Sequence, residues 1–309
     1  MKRRRRRRRR NKNRNPKRRR VDRISRLPDD VLIHILSLLD IGDAVMTTTL
    51  SREWRRRRLW AHVYNLSFDF NSWFVPSQIL SVARVLDLHR AAKITTFSLH
   101  IRDSMSRQTD VLVPWLRFAA MRHVETLKLC LPEIGFTFDL PEFLFCHDSL
   151  RELNVVGCDL HLQGRVRWEL LRVLDMSFGV LMGIQDLLSG CPLLEYLKLS
   201  HVLVCGGQNI DITQEKLKKL VIERPYCTRD IGRRPEVVHV HDPEIRIAAP
   251  LLAELELLGC WCSITCKLVD VPSLVHVHLD FVFLSSLDNA ERSKNAEKEL
   301  HEKVRQIMG

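Results

Sequence analysis

Arg26-Leu27-Pro28-Asp29-Asp30-Val31-Leu32-Ile33-His34-Ile35-Leu36-Ser37-Leu38-Leu39, running on through Asp43-Ala44-Val45 to Leu50-Ser51-Arg52-Glu53-Trp54-Arg55, is the stretch that decides how this chain is organised. Pro28 suits a first helical turn, and the acids Asp29 and Asp30 suit its positive end. Leu32, Ile35, Leu36 and Leu39 follow at spacings of three and four, which predicts one apolar helical face. Gly42 is expected to break that helix, and Asp43 to cap a second one carrying Val45, Met46 and Leu50. Ser51 is placed to cap a third, which begins Arg52-Glu53-Trp54. Three helices in about forty residues bury little surface. Such a unit is expected to keep apolar surface for a partner.

In order and punctuation the whole segment resembles the N-terminal half of a plant F-box. The family's leucine–proline pair corresponds to Leu27 and Pro28, and its helix contacts to Leu32, Ile35 and Leu36. Its small-residue–valine step corresponds to Ala44-Val45, and its tryptophan to Trp54. The resemblance implies that Leu27, Pro28, Leu32, Ile35, Leu36, Val45 and Trp54 bind a SKP-family adaptor, and through it a cullin–RING ubiquitin ligase. One departure follows Trp54. Family members place a second tryptophan four residues on, whereas Arg55-Arg56-Arg57-Arg58-Leu59 delays it here to Trp60, a two-residue insertion at the end of the third helix.

The 309 residues, 45% hydrophobic and 28% charged, suffice for a real core and for two domains. No apolar run approaches the length of a membrane span, and the start is arginine-rich where a secretory leader would be apolar. A nuclear or cytoplasmic location is expected. The nine cysteines, an odd number scattered through apolar stretches, then read as reduced core thiols. The net charge of +12 is concentrated at one end. Residues 1–20 hold fifteen Lys or Arg and no acid, which leaves thirty-four bases against thirty-seven acids in 21–309. Like charges with nothing apolar to bury predict a disordered arm over 1–20. Lys17, Arg18, Arg19 and Arg20, behind the upstream arginine block, have the composition of a nuclear-import signal. The same arm is expected to contact nucleic acid non-specifically through counterion release. It has no interleaved aromatics for base stacking.

Beyond a connector assigned to 63–93, one phrase returns: apolar, two other residues, then apolar-x-apolar. Its copies start at Ile94, Val124, Leu150, Leu171, Leu194, Leu217, Leu252 and Leu274, at intervals of 30, 26, 21, 23, 23, 35 and 22. Most intervals fall in or near the leucine-rich-repeat range of about 20–29 residues. Each phrase ends in a short strand that cannot bury its own apolar edge, so parallel stacking into a curved solenoid is predicted over 94–287. Within it, 184–189 reads as a short helix stopped by Gly190 and Pro192. The long interval before Leu252 is expected to hold a degenerate repeat around Val237-Val238-His239-Val240. The fold class is therefore an α/β solenoid: a three-helix F-box over 21–62, then a leucine-rich-repeat horseshoe of parallel strands.

Ile247-Ala248-Ala249-Pro250-Leu251-Leu252 and Cys191-Pro192-Leu193-Leu194-Glu195 resemble stock phrases of the plant F-box/leucine-rich-repeat group, including its FBD-type members. The resemblance covers roughly 22–287. It leaves no room for the C-terminal FBD domain that many such proteins carry. Residues 288–309 read as a polar tail or closing helix with a weak stripe of Ala296, Leu300, Val304 and Ile307.

No catalytic constellation stands out. Cys260, Cys262 and Cys266, with His239, His241, His276 or His278, lack the paired spacing of structural zinc sites, and neither a metal nor a cofactor is expected. The resemblance implies a non-catalytic subunit that acts by proximity. On leucine-rich repeats the outward residues of the strands form a concave wall, here His100, Lys128, Asn154, Asp175, Lys198, Glu223, Glu256 and His278, expected to bind a protein target. Two other readings of the chain are a nuclear scaffold outside the ligase and a nucleic-acid-associated protein acting through the arm.

Overall fold

The computed structural model describes residues 23–70, 76–101, 109–132, 138–162, 166–205, 209–224, 244–259 and 265–281. The basic arm with Lys17 to Arg20, the repeat expected at 237–240 and the 288–309 segment lie outside the described residues.

Three helices open it, α1 (Asp29–Leu36), α2 (Ile41–Met46) and α3 (Arg52–Arg57). Ser51 caps α3, its hydroxyl accepting from the Trp54 N–H at 3.2 Å. The second cap differs from expectation. Asp40, not Asp43, caps α2, its carboxylate accepting from the Gly42 N–H at 2.7 Å, and Gly42 lies inside the helix it was expected to precede. Asp40 can do this because α1 stops one turn earlier than the leucine spacing suggests, at Leu36. The arginine insertion is absorbed by one residue. Arg58 adopts a left-handed conformation (φ 47°), ends α3, and starts a 3-10 turn (Leu59–His62) that returns Trp60 to the core.

The strands are β1 (Asn65–Phe70), β2 (Thr96–Ile101), β3 (Thr126–Cys130), β4 (Phe138–Asp139), β5 (Glu152–Val156), β6 (Cys158–His161), β7 (Val173–Met182), β8 (Tyr196–Cys205), β9 (Asn209–Thr213), β10 (Lys219–Glu223), β11 (Glu244–Ala248), β12 (Glu254–Gly259), β13 (Thr265–Asp270) and β14 (His276–Phe281). One parallel sheet runs β1-β2-β3-β5-β7-β8-β10-β12-β14. Each of the eight repeated phrases supplies one of its strands. β1 is an addition: the segment expected to be a connector begins the solenoid, with Asn65–Phe70 paired residue for residue to Thr96–Ile101. A second sheet, β13-β11-β9, and the helices α4 (Pro76–Leu88), α5 (Leu112–Met121) and α6 (Ile184–Gly190) complete the coils.

Stacking in register turns the phrase into ladders. One runs Leu66, Phe97, Leu127, Leu153, Leu174, Leu197, Leu220, Leu255, Val277, and the next, two residues on, runs Phe68 to Leu279. Both rows are buried up to β12. At the edge strand β14, Val277 is 39% exposed because no further described strand covers it. The turn into each strand repeats as well. The Glu125 carbonyl accepts two N–H groups of the next coil, from Arg151 and Glu152. The carbonyls of Arg151, Arg172, Glu195, Lys218 and Ala253 do the same in turn. Backbone polar groups that would be orphaned at each corner are thereby satisfied.

Strand ends turn through a second repeated device. The residue after the fifth strand position is left-handed in five successive coils: Gly157 (φ 71°), Phe178 (55°), His201 (55°), Arg224 (45°) and Gly259 (94°). Glycine takes this conformation freely, whereas a residue with a side chain gives up about 1–2 kcal/mol there.

The first coil joins the helices to the solenoid. The Ser37 hydroxyl donates to the Ile33 carbonyl and accepts from the Tyr64 N–H, while Asn65 Nδ2 donates to the Ser37 carbonyl. His89 is buried nearby, with Nε2 at 2.8 Å from the Val63 carbonyl, so Nε2 carries the proton and donates. Its Nδ1 is buried without a partner. Burial holds this imidazole below its ordinary value of 6.5. The unfolded chain therefore binds the proton first. The stability contributed by neutral His89 is complete above about pH 6.5 and is lost as pH falls below it. Urea midpoints from pH 8 to pH 5.5 should fall for the wild type and fall less steeply for His89→Gln.

Candidate functional site

Half of the exposed large apolar side chains of the described residues lie between Ile24 and Leu50: Ile24, Leu27, Val31, Ile35, Leu38, Leu39, Met46 and Leu50. Scattered exposed leucines are ordinary, but a contiguous apolar patch marks an interaction surface. The patch arises because α1 is apolar on two sides. Leu32 and Leu36, exposed 1% and 2%, face inward, while Val31 and Ile35 on α1, with Leu38 just past it, face outward at 38%, 41% and 70%. Spacings of four and three place these three in one stripe.

This divides the residues expected to contact an adaptor. Leu27, Pro28 and Ile35 lie on the surface and Val45 is half-buried. Leu32, Leu36 and Trp54 are buried in the core, which corrects their assignment as direct contacts. The reason is geometric: spacings of three and four drift around a helix, so four such residues span more than one face. Trp54 holds the leucine–proline segment instead. Its indole N–H donates to the Ser25 hydroxyl at 2.6 Å. Arg57, inside the arginine run, donates to the Ser25 carbonyl and pairs with Asp29. The sequence showed Arg57 only as one of four arginines. The i, i+4 spacing from Glu53, to which it lies at 3.9 Å, is what sets it apart.

On the concave side the register sorts the expected wall. Lys128, Asn154, Asp175, Lys198, Glu256 and His278 form one row, broken by the buried Val221 between Lys198 and Glu256. His100 and Glu223 belong to the next row, two residues further along their strands. The register adds a third row that the sequence expectation did not include: Glu152, Val173, Tyr196, Lys219, Glu254 and His276. Its signal was the variable slot just before the first ladder residue. Lys219 is its charged centre, with Nζ 2.6 Å from Glu256 and 2.9 Å from Glu254. Hydrogen bonds to these carboxylates push its pKa upward, and the bond to Lys219 holds Glu254 below the ordinary carboxylate range.

Asp175 is the wall's unfavourable member. Burial pushes its carboxyl above the ordinary 3.8, and Lys198 across the strand offsets this only in part. A raised carboxyl pKa penalises the ionised fold at neutral pH and imposes no penalty once the acid is protonated. Asp175→Asn should therefore raise the urea midpoint at pH 7, with the gain shrinking as pH falls toward about 3.8 and absent below it.

The described residues do not gather the cysteines and histidines weighed as metal ligands. Cys260, Cys262, His239 and His241 lie outside the described residues, and Cys266 is buried on β13. Another group, Asp139, Asp159 and His161 on β4 and β6, has ligand atoms within 4.8 Å of one another. There His161 pairs with the exposed Asp139 at 3.4 Å, and Asp159 accepts from the Val180 N–H. Cys158 and Cys191 are sealed thiols. Burial raises the first strongly and pushes the second up to about 12, so neither is a thiolate nucleophile at neutral pH.

Comparison with known proteins agrees with this geometry. The F-box domain family matches residues 24–57, and the leucine-rich repeats of the FBD-associated F-box protein At5g56370 match 112–274. The chain belongs to the plant F-box/LRR-repeat family. It is 33% identical over 283 residues to the F-box/LRR-repeat protein At3g03360 of Arabidopsis thaliana, covering 87% of this chain and 53% of that one. It is 31% identical over 236 residues to F-box/LRR-repeat protein 25 of the same plant, covering 74% and 87%. This F-box/LRR-repeat chain spans about half the length of several relatives, At3g03360 and At5g02910 among them. No solved structure matches it significantly. No helix among the described residues is long and apolar enough to cross a membrane.

Proposed function

We propose that this chain is a substrate-recognition adaptor of an SCF-type cullin–RING ubiquitin ligase. The F-box docks a SKP-family adaptor through Leu27, Pro28, Val31, Ile35 and Leu38, and the concave rows of the solenoid hold a protein target. One observation carries the reading: the outward stripe of α1 is apolar while the same helix already fills its own core with Leu32 and Leu36. A helix satisfied inside and apolar outside is built for a second body. The F-box match over 24–57 supports the adaptor as that body. The chain contributes no chemistry of its own in this role. It raises the effective concentration of a target beside a charged ubiquitin carrier.

Co-purification with a SKP-family adaptor tests it. Wild type, and a form lacking residues 1–20, should both capture the adaptor. Failure of the folded wild-type chain to do so would refute the reading.

A further inference from the structure

The left-handed row at the strand ends has a property that the fold does not require. At both ends of the row the turn is made by glycine, Gly157 and Gly259, the residue that suits such a turn. In the three coils between, the same backbone position carries Phe178, His201 and Arg224. Each retains a planar side chain in a conformation that disfavours any side chain, and strained positions of this kind persist where the surroundings over-determine them. The three are consecutive rungs, because Ser177, Ser200 and Glu223, which precede them, are register partners.

Following the outermost concave row on these rungs, half-buried Phe178 and His201 and exposed Arg224 make up a ledge. The Phe178 and His201 rings stack at 4.4 Å between centroids and 13° between planes. The Ser200 hydroxyl donates to Glu223 at 2.9 Å, so its oxygen accepts from His201 Nδ1, also at 2.9 Å, and the imidazole orientation is fixed. The stem of Arg224 crosses Gly259, where a side chain on Gly259 would collide with it. Arg224 is exposed and has no carboxylate partner among the described residues.

We infer that the Phe178–His201–Arg224 ledge is a recognition site for a peptide segment of a protein partner that presents an aromatic side chain close to an acidic one. The inference rests on the reading of the repeats as a target-binding surface. A row of flat faces rewards a flat group through stacking and does little for an aliphatic one. The guanidinium attracts a carboxylate and repels a cation. Neighbouring rungs are about 4.8 Å apart, so the ring contact and the charge contact fall within about two residues of an extended peptide, which advances about 3.3–3.6 Å per residue. Aromatic and arginine side chains at the centre of a contact are also those that dominate interface energies.

The probe is a displayed library of random twelve-residue peptides selected on the full chain, followed by fluorescence anisotropy with the enriched peptides. Enrichment of an aromatic residue within two positions of Asp or Glu is expected. Binding should weaken at least tenfold in Arg224→Gly, and in the triple variant Phe178→Gly/His201→Gly/Arg224→Gly. The triple variant should melt no lower than wild type, since glycine relieves the backbone. Enriched peptides without the pair, equal binding by the triple variant, or a melt several degrees lower that assigns the rings to holding the fold would each overturn the inference. SKP-family capture by the same preparations is measured in parallel. Its loss in the wild type would count against the ligase reading and leaves the peptide result standing by itself.

Discussion

Ile35→Asp is expected to abolish the proposed capture of a SKP-family adaptor and to leave the melting temperature of the chain within a degree or two of wild type. Ile35 is 41% exposed on the outer stripe of α1, so aspartate there meets water in the free protein. In the proposed complex the same carboxylate would be buried against apolar surface. Losing the isoleucine contact forfeits about 1.5–3 kcal/mol, and an unpaired charge adds several more. Every 1.4 kcal/mol is about tenfold in affinity, so a loss of at least a hundredfold is expected in a direct titration. Leu36→Ala one residue on should give the opposite pattern. Leu36 is 2% exposed, and truncation should remove about 2–5 kcal/mol of F-box stability. Adaptor capture then falls only as far as the helices unfold. If Ile35→Asp still binds, the outward stripe is not the docking face, however well the F-box folds.

The second large effect lies in the solenoid. Trp168→Ala should lower the unfolding free energy by about 3–5 kcal/mol. Trp168 is fully buried, and its indole N–H donates to the Leu144 carbonyl at 2.6 Å. Its ring meets Phe145 edge-on at 6.0 Å, and its backbone N–H donates to the Gly190 carbonyl in the following coil. The side chain thus ties its own coil to the Leu144–Phe145 turn, while the backbone bond to Gly190 survives its removal. Neighbouring coils stabilise one another in a solenoid, so damage at one interface weakens coupling across it. Chemical unfolding monitored by circular dichroism should show a lower midpoint and a broader transition, the mark of two halves melting separately. Trp168→Phe keeps most of the volume and loses only the indole hydrogen bond, since the Leu144 carbonyl still accepts from the His147 N–H, for about 0.5–1.5 kcal/mol. A wild-type-like midpoint in Trp168→Ala would mean that the coils hold together without this bridge.

The solenoid was legible because its information is periodic. Every phrase from Ile94 to Leu274 became a strand of one sheet, since a repeated pattern in consecutive coils has one way to bury all its copies. β1 carries the same phrase, Val63-Tyr64-Asn65-Leu66-Ser67-Phe68, inside the stretch expected to be a connector, with Val63 buried at its opening position. The Tyr64 carbonyl makes the corner by accepting from Thr95 and Thr96, as the Thr95 carbonyl does for Glu125 and Thr126. The α2 cap was misplaced for a local reason: Asp40 and Asp43 are equally good capping residues, and the choice depended on where α1 ended.

The sequence by itself determined what each stretch is. It set the order of the three opening helices and the eight repeated strands, the inward ladders and the concentration of charge in the first twenty residues, because these follow from composition and spacing along the chain. Only the tertiary structure decided which apolar residues of α1 are spent inside and which are left outside, which polar rows share the concave wall, and that Phe178, His201 and Arg224 stand side by side. Burial, register and left-handed turns depend on residues more than twenty positions away, and no local window contains them.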